Sequence, residues 1–183
     1  MKKVFVARMF LVVLLIVGVL YLLYRGQPVA TSDKVNVPIT ISENAEVRQP
    51  PEGWREYRNN TYHFSLFYPE TLSVKEFDEG GGASAIVFQN LEEGKGFQIF
   101  IVPFSGNQIT DERFRKDVPS GLKKELKDIT VDSAMGASFY SVNTILGETA
   151  EVWFIKNGFL YEVTAPRALD QWLSEIMRYW RFI

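Results

Sequence analysis

Apolar and polar residues are distributed in three different ways along the 183 residues. Met9 to Tyr24 reads MFLVVLLIVGVLYLLY, sixteen residues without a charge. With Val4 to Ala7 the run extends to 21 residues, interrupted only by Arg8. As a helix it would rise roughly 31 Å, about the thickness of a bilayer's hydrocarbon core. It is apolar on every face, unlike an amphipathic core helix. Gly26 to Gly53 carries Pro28, Pro38, Pro50 and Pro51 and reads as a tether. Within it Val35, Val37, Ile39 and Ile41 alternate with other residues, so part of the tether is able to lie along a folded domain. From Trp54 onward the pattern becomes short alternating runs separated by turn residues, the signature of a folded domain over 54–183.

Strands are expected at Trp54–Arg58, Tyr62–Tyr68, Leu72–Phe77, Ala85–Asn90 and Phe97–Phe104. In the second, Tyr62, Phe64, Leu66 and Tyr68 share one face, and His63, Ser65 and Phe67 the other. Asp78 to Ser84, with Gly80, Gly81 and Gly82, is expected to be a mobile loop. Ala85–Asn90 and Phe97–Phe104 should form a hairpin around Leu91–Gly96. Ile99, Ile101, Phe100 and Val102 make both faces of the latter strand apolar, which places it mid-sheet with a layer on each side. Asp111–Asp117 is expected as a short helix capped by Thr110, and Leu122–Leu126 as another helical turn after Pro119. Strands resume at Ile129–Ser133, Ala137–Thr144, Thr149–Lys156 and Phe159–Thr164. Asn157-Gly158 joins the last two as a type I′ hairpin. Leu169, Trp172, Leu173, Ile176, Met177 and Trp180 fall at helical spacing and predict a C-terminal amphipathic helix lying across the sheet.

Charge gives the chain a direction. From Glu52 onward there are 14 Lys and Arg against 19 Asp and Glu; before it, 6 against 3, with Lys2, Lys3 and Arg8 ahead of the apolar run. The positive-inside rule places the N-terminus in the cytoplasm and the domain outside it, in a single-pass arrangement in the cell membrane. A cleaved signal peptide is the competing reading; it would have a shorter apolar region and a small-x-small site, and mature protein would start near Thr31. The chain contains no cysteine. Disulfides, thiolate sites and a lipidated cysteine are therefore excluded, which fits a bacterial envelope protein. The net charge of −2 gives no reason to expect a nucleic-acid partner.

The segment YRNNTYHFSLFYPETLSV, Tyr57 to Val74, resembles the opening of PsbP-like domains, an aromatic-rich strand pair of the form Y-x-N-x-x-Y-x-F-S-x-x-Y-P. The matching residues are Tyr57, Asn59, Tyr62, Phe64, Ser65, Tyr68 and Pro69; Leu72 stands where the family usually has tryptophan. The close, a terminal amphipathic helix and Trp180-Arg181-Phe182, is similar too. The resemblance spans Trp54 to Ile183. It implies an α+β fold, an antiparallel β-sheet flanked by helices as a sandwich. It also implies an anchored bacterial member of a family whose photosynthetic members are extrinsic subunits of a membrane complex. It carries over no catalytic residue.

The search for chemistry is eliminative. His63 is the sole histidine, and no pattern supplies the third group a relay needs. The acid pairs Asp78-Glu79 and Glu92-Glu93 flank one strand about 20 Å apart, too far to share a cation. Asp78-Glu79 and Asp111-Glu112 could share one end of the sheet, but loop acids are ordinarily solvated. Gly80 to Gly82 lack the lysine and hydroxyl of a phosphate loop. Arg113, Arg115, Lys116, Lys123, Lys124 and Lys127 alternate with acids and read as a solvated face, with an anionic lipid or acidic partner as the other option. Asn59-Asn60-Thr61 is a glycosylation sequon, meaningful only in a eukaryotic secretory pathway. The aromatics read mostly as core by position; Phe67 and the tail Tyr179–Ile183 are the places where apolar surface could reach a partner, with core the favoured reading for each. No catalytic, cofactor-binding or metal-ligating residue emerges. The expected function is a non-catalytic module that meets another envelope protein; the alternatives are a hydrolase with a carboxylate pair and a small-ligand carrier.

Overall fold

The computed structural model describes residues 49–118, 120–143 and 146–183. The apolar run 1–25 and most of the tether lie outside these residues. Among the described residues no helix is long and apolar enough to cross a membrane.

The elements in chain order are β1 (Trp54–Asn59), β2 (Phe64–Pro69), β3 (Ser73–Gly80), β4 (Ala83–Asn90), β5 (Lys95–Pro103), α1 (Asp111–Asp117), β6 (Lys124–Val131), β7 (Ala134–Asn143), β8 (Gly147–Lys156), β9 (Phe159–Pro166), a 3-10 turn (Arg167–Leu169), α2 (Asp170–Met177) and β10 (Arg181–Phe182). They form two sheets, one of seven strands ordered β3-β4-β5-β9-β8-β7-β6 and one of three ordered β1-β2-β10. All pairings are antiparallel. The domain is thus mostly β. The sequence suggested one sheet between helices; the structure instead covers one face of the large sheet with α2 and the second, smaller sheet.

That face holds the main core. Phe64, Leu66, Ile86, Ile99, Ile101, Phe154, Tyr161, Val163, Ile176 and Trp180 are all fully buried. Its aromatics interlock: Phe64 stacks on Trp180 with centroids 4.3 Å apart, Phe88 on Phe97 at 4.4 Å, and Phe154 on Tyr161 at 5.1 Å. Burial of each such side chain contributes roughly 1.5–3 kcal/mol. The aromatic motif near the domain's start serves this packing. Tyr57 meets Phe88 edge-on at 5.2 Å, and the Tyr62 hydroxyl donates to the Gly82 carbonyl at 3.2 Å. Asn59 Oδ1 accepts the backbone N–H groups of Thr61 and Tyr62, both at 3.0 Å, and closes the β1–β2 turn.

β5 sits between β4 and β9, as its two apolar faces require. Thr110 caps α1, its hydroxyl accepting the Arg113 N–H at 3.1 Å. Asn157 and Gly158 both have positive φ, 51° and 80°, the type I′ pattern. The apolar stripe does form a helix, but α2 ends at Met177; Trp180 is buried beyond it. Pro166 belongs to β9 and not to the helix.

Three expectations are corrected. Asp78 to Ser84 is not a loop: β3 and β4 continue to Gly80 and Ala83, and Gly81-Gly82, with φ of 64° and 80°, make a two-residue turn. Leu122–Leu126 is not helical: β6 starts at Lys124, and a register shift between Lys124 and Lys127, with Glu125 at φ 54°, bends this edge strand. The strand expected at Ile129–Ser133 ends at Val131 and the next begins at Ala134, not Ala137: Asp132-Ser133, both at positive φ, form the turn between β6 and β7 without the glycine that usually marks one.

Candidate functional site

Two features of the large sheet have the makings of a site, and they lie on opposite faces. The first is a cleft of about 740 Å³ on the main-core face, at the β6 edge. The helix supplies one wall through Asp170, Ser174, Met177 and Arg178, residues at helical spacing on one side of α2. β6 supplies the other from Glu125 to Val131, and Tyr140 and Val152 contribute to the floor. At one end the Tyr140 hydroxyl donates to Asp170 Oδ2 at 2.6 Å. Burial and then Asp170 push the Tyr140 hydroxyl up to about 12. Arg167 packs over the Tyr140 ring at 4.4 Å and pairs with Glu148 at 2.8 Å and Glu125 at 3.6 Å, bracing that end. Toward the other end the β6–β7 turn is held by Asp132 Oδ2, which accepts the Phe182 N–H at 2.6 Å. Met135, among the lining residues, is 82% exposed. The walls mix apolar side chains with both signs of charge.

The second feature is an acid cluster on the opposite face, beneath α1. Registry places Trp153 opposite Glu162 and Glu151 opposite Thr164. Phe114 and Val118 of the α1 region pack over Trp153, Phe139 and Leu160. Inside this small core Arg113 pairs with Asp117 one turn along and reaches Glu162 Oε1 at 3.4 Å. Asp117 and Glu162 both pair with Arg113, so their carboxyls are close enough to affect each other's ionisation. Burial raises both, and Asp117's charge adds to the rise at Glu162. Glu151 sits nearby, accepting the Thr149 hydroxyl at 2.7 Å, the Thr164 hydroxyl at 2.6 Å and the Trp153 indole N–H at 3.3 Å. Burial outweighs those three donors and pushes its carboxyl up to about 7.

These acids have the shifted ionisation of a catalytic pair but not its surroundings. α1 and its apolar residues roof them, and the cleft opens from the other face. Asp117 and Glu162, the pair a hydrolase would use, are not among the residues that line the cleft; Glu151, on the floor strand β8, is. The cleft is also unlike a carrier's pocket, since it lies at the sheet edge with charged walls and not within the sandwich.

The residues singled out from sequence have other places. His63 is exposed in the β1–β2 turn with φ 54°, before β2 begins, and not on a strand face. Asp78 Oδ1 accepts the Gly80 N–H at 2.8 Å, shaping the glycine turn. Glu93 pairs with Lys95 at 2.9 Å, and Asp111 with Lys123 at 2.7 Å. No group of three metal-capable side chains occurs among the described residues. Asn59 is buried with its amide donating to the Tyr57 hydroxyl at 2.9 Å, a poor glycan acceptor. Arg113 departs most from the expected solvated basic face: its side chain is only 12% exposed and pairs with Asp117 and Glu162. Phe67 is buried against Tyr179, with centroids 5.6 Å apart, and Trp180 is wholly enclosed. Of the tail, Ile183 stays exposed. The sequence reading missed Glu151, Glu162 and the cleft; an acid alternating with tryptophan in an otherwise apolar strand, Glu151-Val152-Trp153, was the available signal.

The sequence matches no protein-family model and no curated protein. Among solved structures, the fold is similar to that of cyanobacterial PsbP from Synechocystis sp. PCC 6803, with a TM-score of 0.51 at 12% identity. The alignment covers 78% of this chain and 99% of that one. The PsbP-like fold implied by the aromatic motif is therefore present, and at this identity the likeness speaks to fold alone.

Proposed function

We propose that this protein is a membrane-tethered, non-catalytic extrinsic domain that docks another envelope protein outside the cytoplasm, with the cleft between α2 and β6 as its recognition groove. The observation that carries the reading is that the Asp117–Glu162 pair is absent from the lining of the cleft, which of the buried acids includes only Glu151. The groove offers apolar side chains, both signs of charge and an exposed methionine on a braced sheet, a surface suited to another protein. Asp117 and Glu162 are paired with Arg113 of α1. The apolar run 9–24 supports a tether, and the PsbP-like fold supports an extrinsic role.

The test is recovery of partners from solubilised membranes with the full-length chain. A specific partner should be captured, and the double substitution Lys127→Glu and Arg178→Glu should cut its recovery by about fivefold or more. Glu92→Lys, in the β4–β5 turn, should leave recovery unchanged. No specific partner, or equal recovery by all three proteins, contradicts the reading.

A further inference from the structure

The large sheet guards its open edges and the small sheet does not. β3 and β6, the outer strands of the large sheet, each carry a register shift, which hinders pairing with another chain. β1 pairs with β2 from Trp54 to Asn59 without a shift, and among the described residues no strand pairs with its other side. The hydrogen bonds show which groups face outward. The Glu70 N–H donates to the Gly53 carbonyl at 2.9 Å, one pair before β1 begins. Antiparallel bonding alternates along a strand. Arg55, Tyr57 and Asn59 therefore bond to β2, and Trp54, Glu56 and Arg58 turn their main-chain groups to the open edge. The Ile183 N–H donates to the His63 carbonyl at 3.0 Å, which turns Ser65 toward β10 and agrees with this alternation. The Trp54 N–H is already given to the Pro51 carbonyl at 3.0 Å. Glu56 and Arg58, both exposed, are left with their N–H and C=O groups on the edge.

We infer that β1 is a self-association edge, pairing antiparallel with β1 of a second copy about a two-fold axis between the Tyr57 residues. A second copy can meet this edge in a register that sets Glu56 opposite Glu56, in one that sets Arg58 opposite Arg58, or in one that sets each opposite the other. Like charges oppose the first two. The last forms main-chain hydrogen bonds from Glu56 and Arg58 of each copy and puts opposite charges side by side at every such pair. Charge thus selects one register, and the contact is self-complementary, as a two-fold interface must be. The small sheets of the two copies join into one continuous sheet. β1 lies over the β3–β4 side of the large sheet, where the Tyr57 hydroxyl donates to Glu76 at 2.7 Å and its ring meets Phe88. The groove lies at the opposite edge, beside β6, so paired copies present both grooves open. On the proposed tether both copies sit in one membrane, where effective concentration raises the occupancy of so short a contact.

Energy transfer between fluorescent copies tests this. The chain has no cysteine, so full-length protein with Glu92→Cys takes a single donor or acceptor dye. The two labelled forms are mixed at low density in phosphatidylcholine vesicles, with no partner present. Transfer should exceed the level of randomly placed copies, and the excess should fall about threefold or more in Glu56→Arg alone and in Arg58→Glu alone. Combining both substitutions in one chain should restore it. Donor-labelled Glu56→Arg mixed with acceptor-labelled Arg58→Glu should restore it too, because that mixture again sets opposite charges together at every pair. Random-level transfer in the unsubstituted protein, or undiminished transfer in the single variants, would overturn the inference. Loss in the single variants with no recovery in the mixture would overturn it as well. The groove is untouched by these substitutions, so partner recovery should not change; the pairing and the docking role can fail separately.

Discussion

The two faces of the seven-stranded sheet are held by different physics. The face under α2 and the small sheet is a dry aromatic core, in which Phe64, Phe154, Tyr161 and Trp180 meet at centroid distances from 4.3 to 5.9 Å. The face under α1 has a smaller apolar cluster around Trp153, edged by Glu151, Glu162, Asp117 and Arg113. Packing on the first face depends on shape and is indifferent to pH. Packing on the second depends on how many protons the acids hold. A raised carboxyl is often a pointer to catalysis; on this face burial is the leading cause at Asp117, Glu151 and Glu162.

Substitutions on the two faces should therefore respond differently to pH. The largest loss is expected from Trp180→Ala, about 4 kcal/mol by urea denaturation and the same at pH 5 and pH 8. Trp180→Phe should cost far less, because the indole N–H is buried without a hydrogen-bond partner and its loss leaves nothing unpaired. A large cost for the phenylalanine variant would show that this N–H is satisfied in solution. Arg113→Met should cost roughly 3 kcal/mol at pH 7 and less at pH 5, where the two carboxyls are more readily neutral. A pH-independent cost would place the arginine outside the cluster.

Glu151 makes a more graded prediction. Its carboxyl is raised in the folded state, so its contribution to stability is complete below about pH 4.5 and is lost as pH rises through about 7. Glu151→Gln should flatten that decline, leaving the variant about 2 kcal/mol more stable relative to wild type at pH 8 than at pH 4.5. Parallel stability curves for the two proteins would remove Glu151 from the account. The smallest effect is expected for Lys95→Ala, which breaks a surface pair with Glu93 and should change stability by less than about 0.5 kcal/mol.

Much of the aromatic face was legible in the sequence. Alternation in Tyr62–Tyr68, the two apolar sides of β5, the Asn157-Gly158 turn and the stripe from Leu169 to Met177 are local patterns, and local patterns survive folding. The charged face was not legible. Arg113, Asp117 and Glu162 meet only because α1 folds onto β9, a contact across more than forty residues that no spacing reveals. The start of β6 was read as a helical turn because Leu122–Leu126 lies at a bulged edge, where one flank of the strand has no partner to impose alternation, while the strand expected from Ile129 covers its end. The cleft itself arises from the sheet extending past α2, a property of topology and not of any motif.

The central claim is that the groove beside α2 is the working surface and the acid cluster a structural one. A photo-crosslinking residue placed at Met135, in full-length protein in its native membrane, tests it most directly, with the same probe at Glu92 as comparison. The account predicts a discrete, higher-mass adduct from Met135 and none from Glu92. Adducts from Glu92 alone would contradict it.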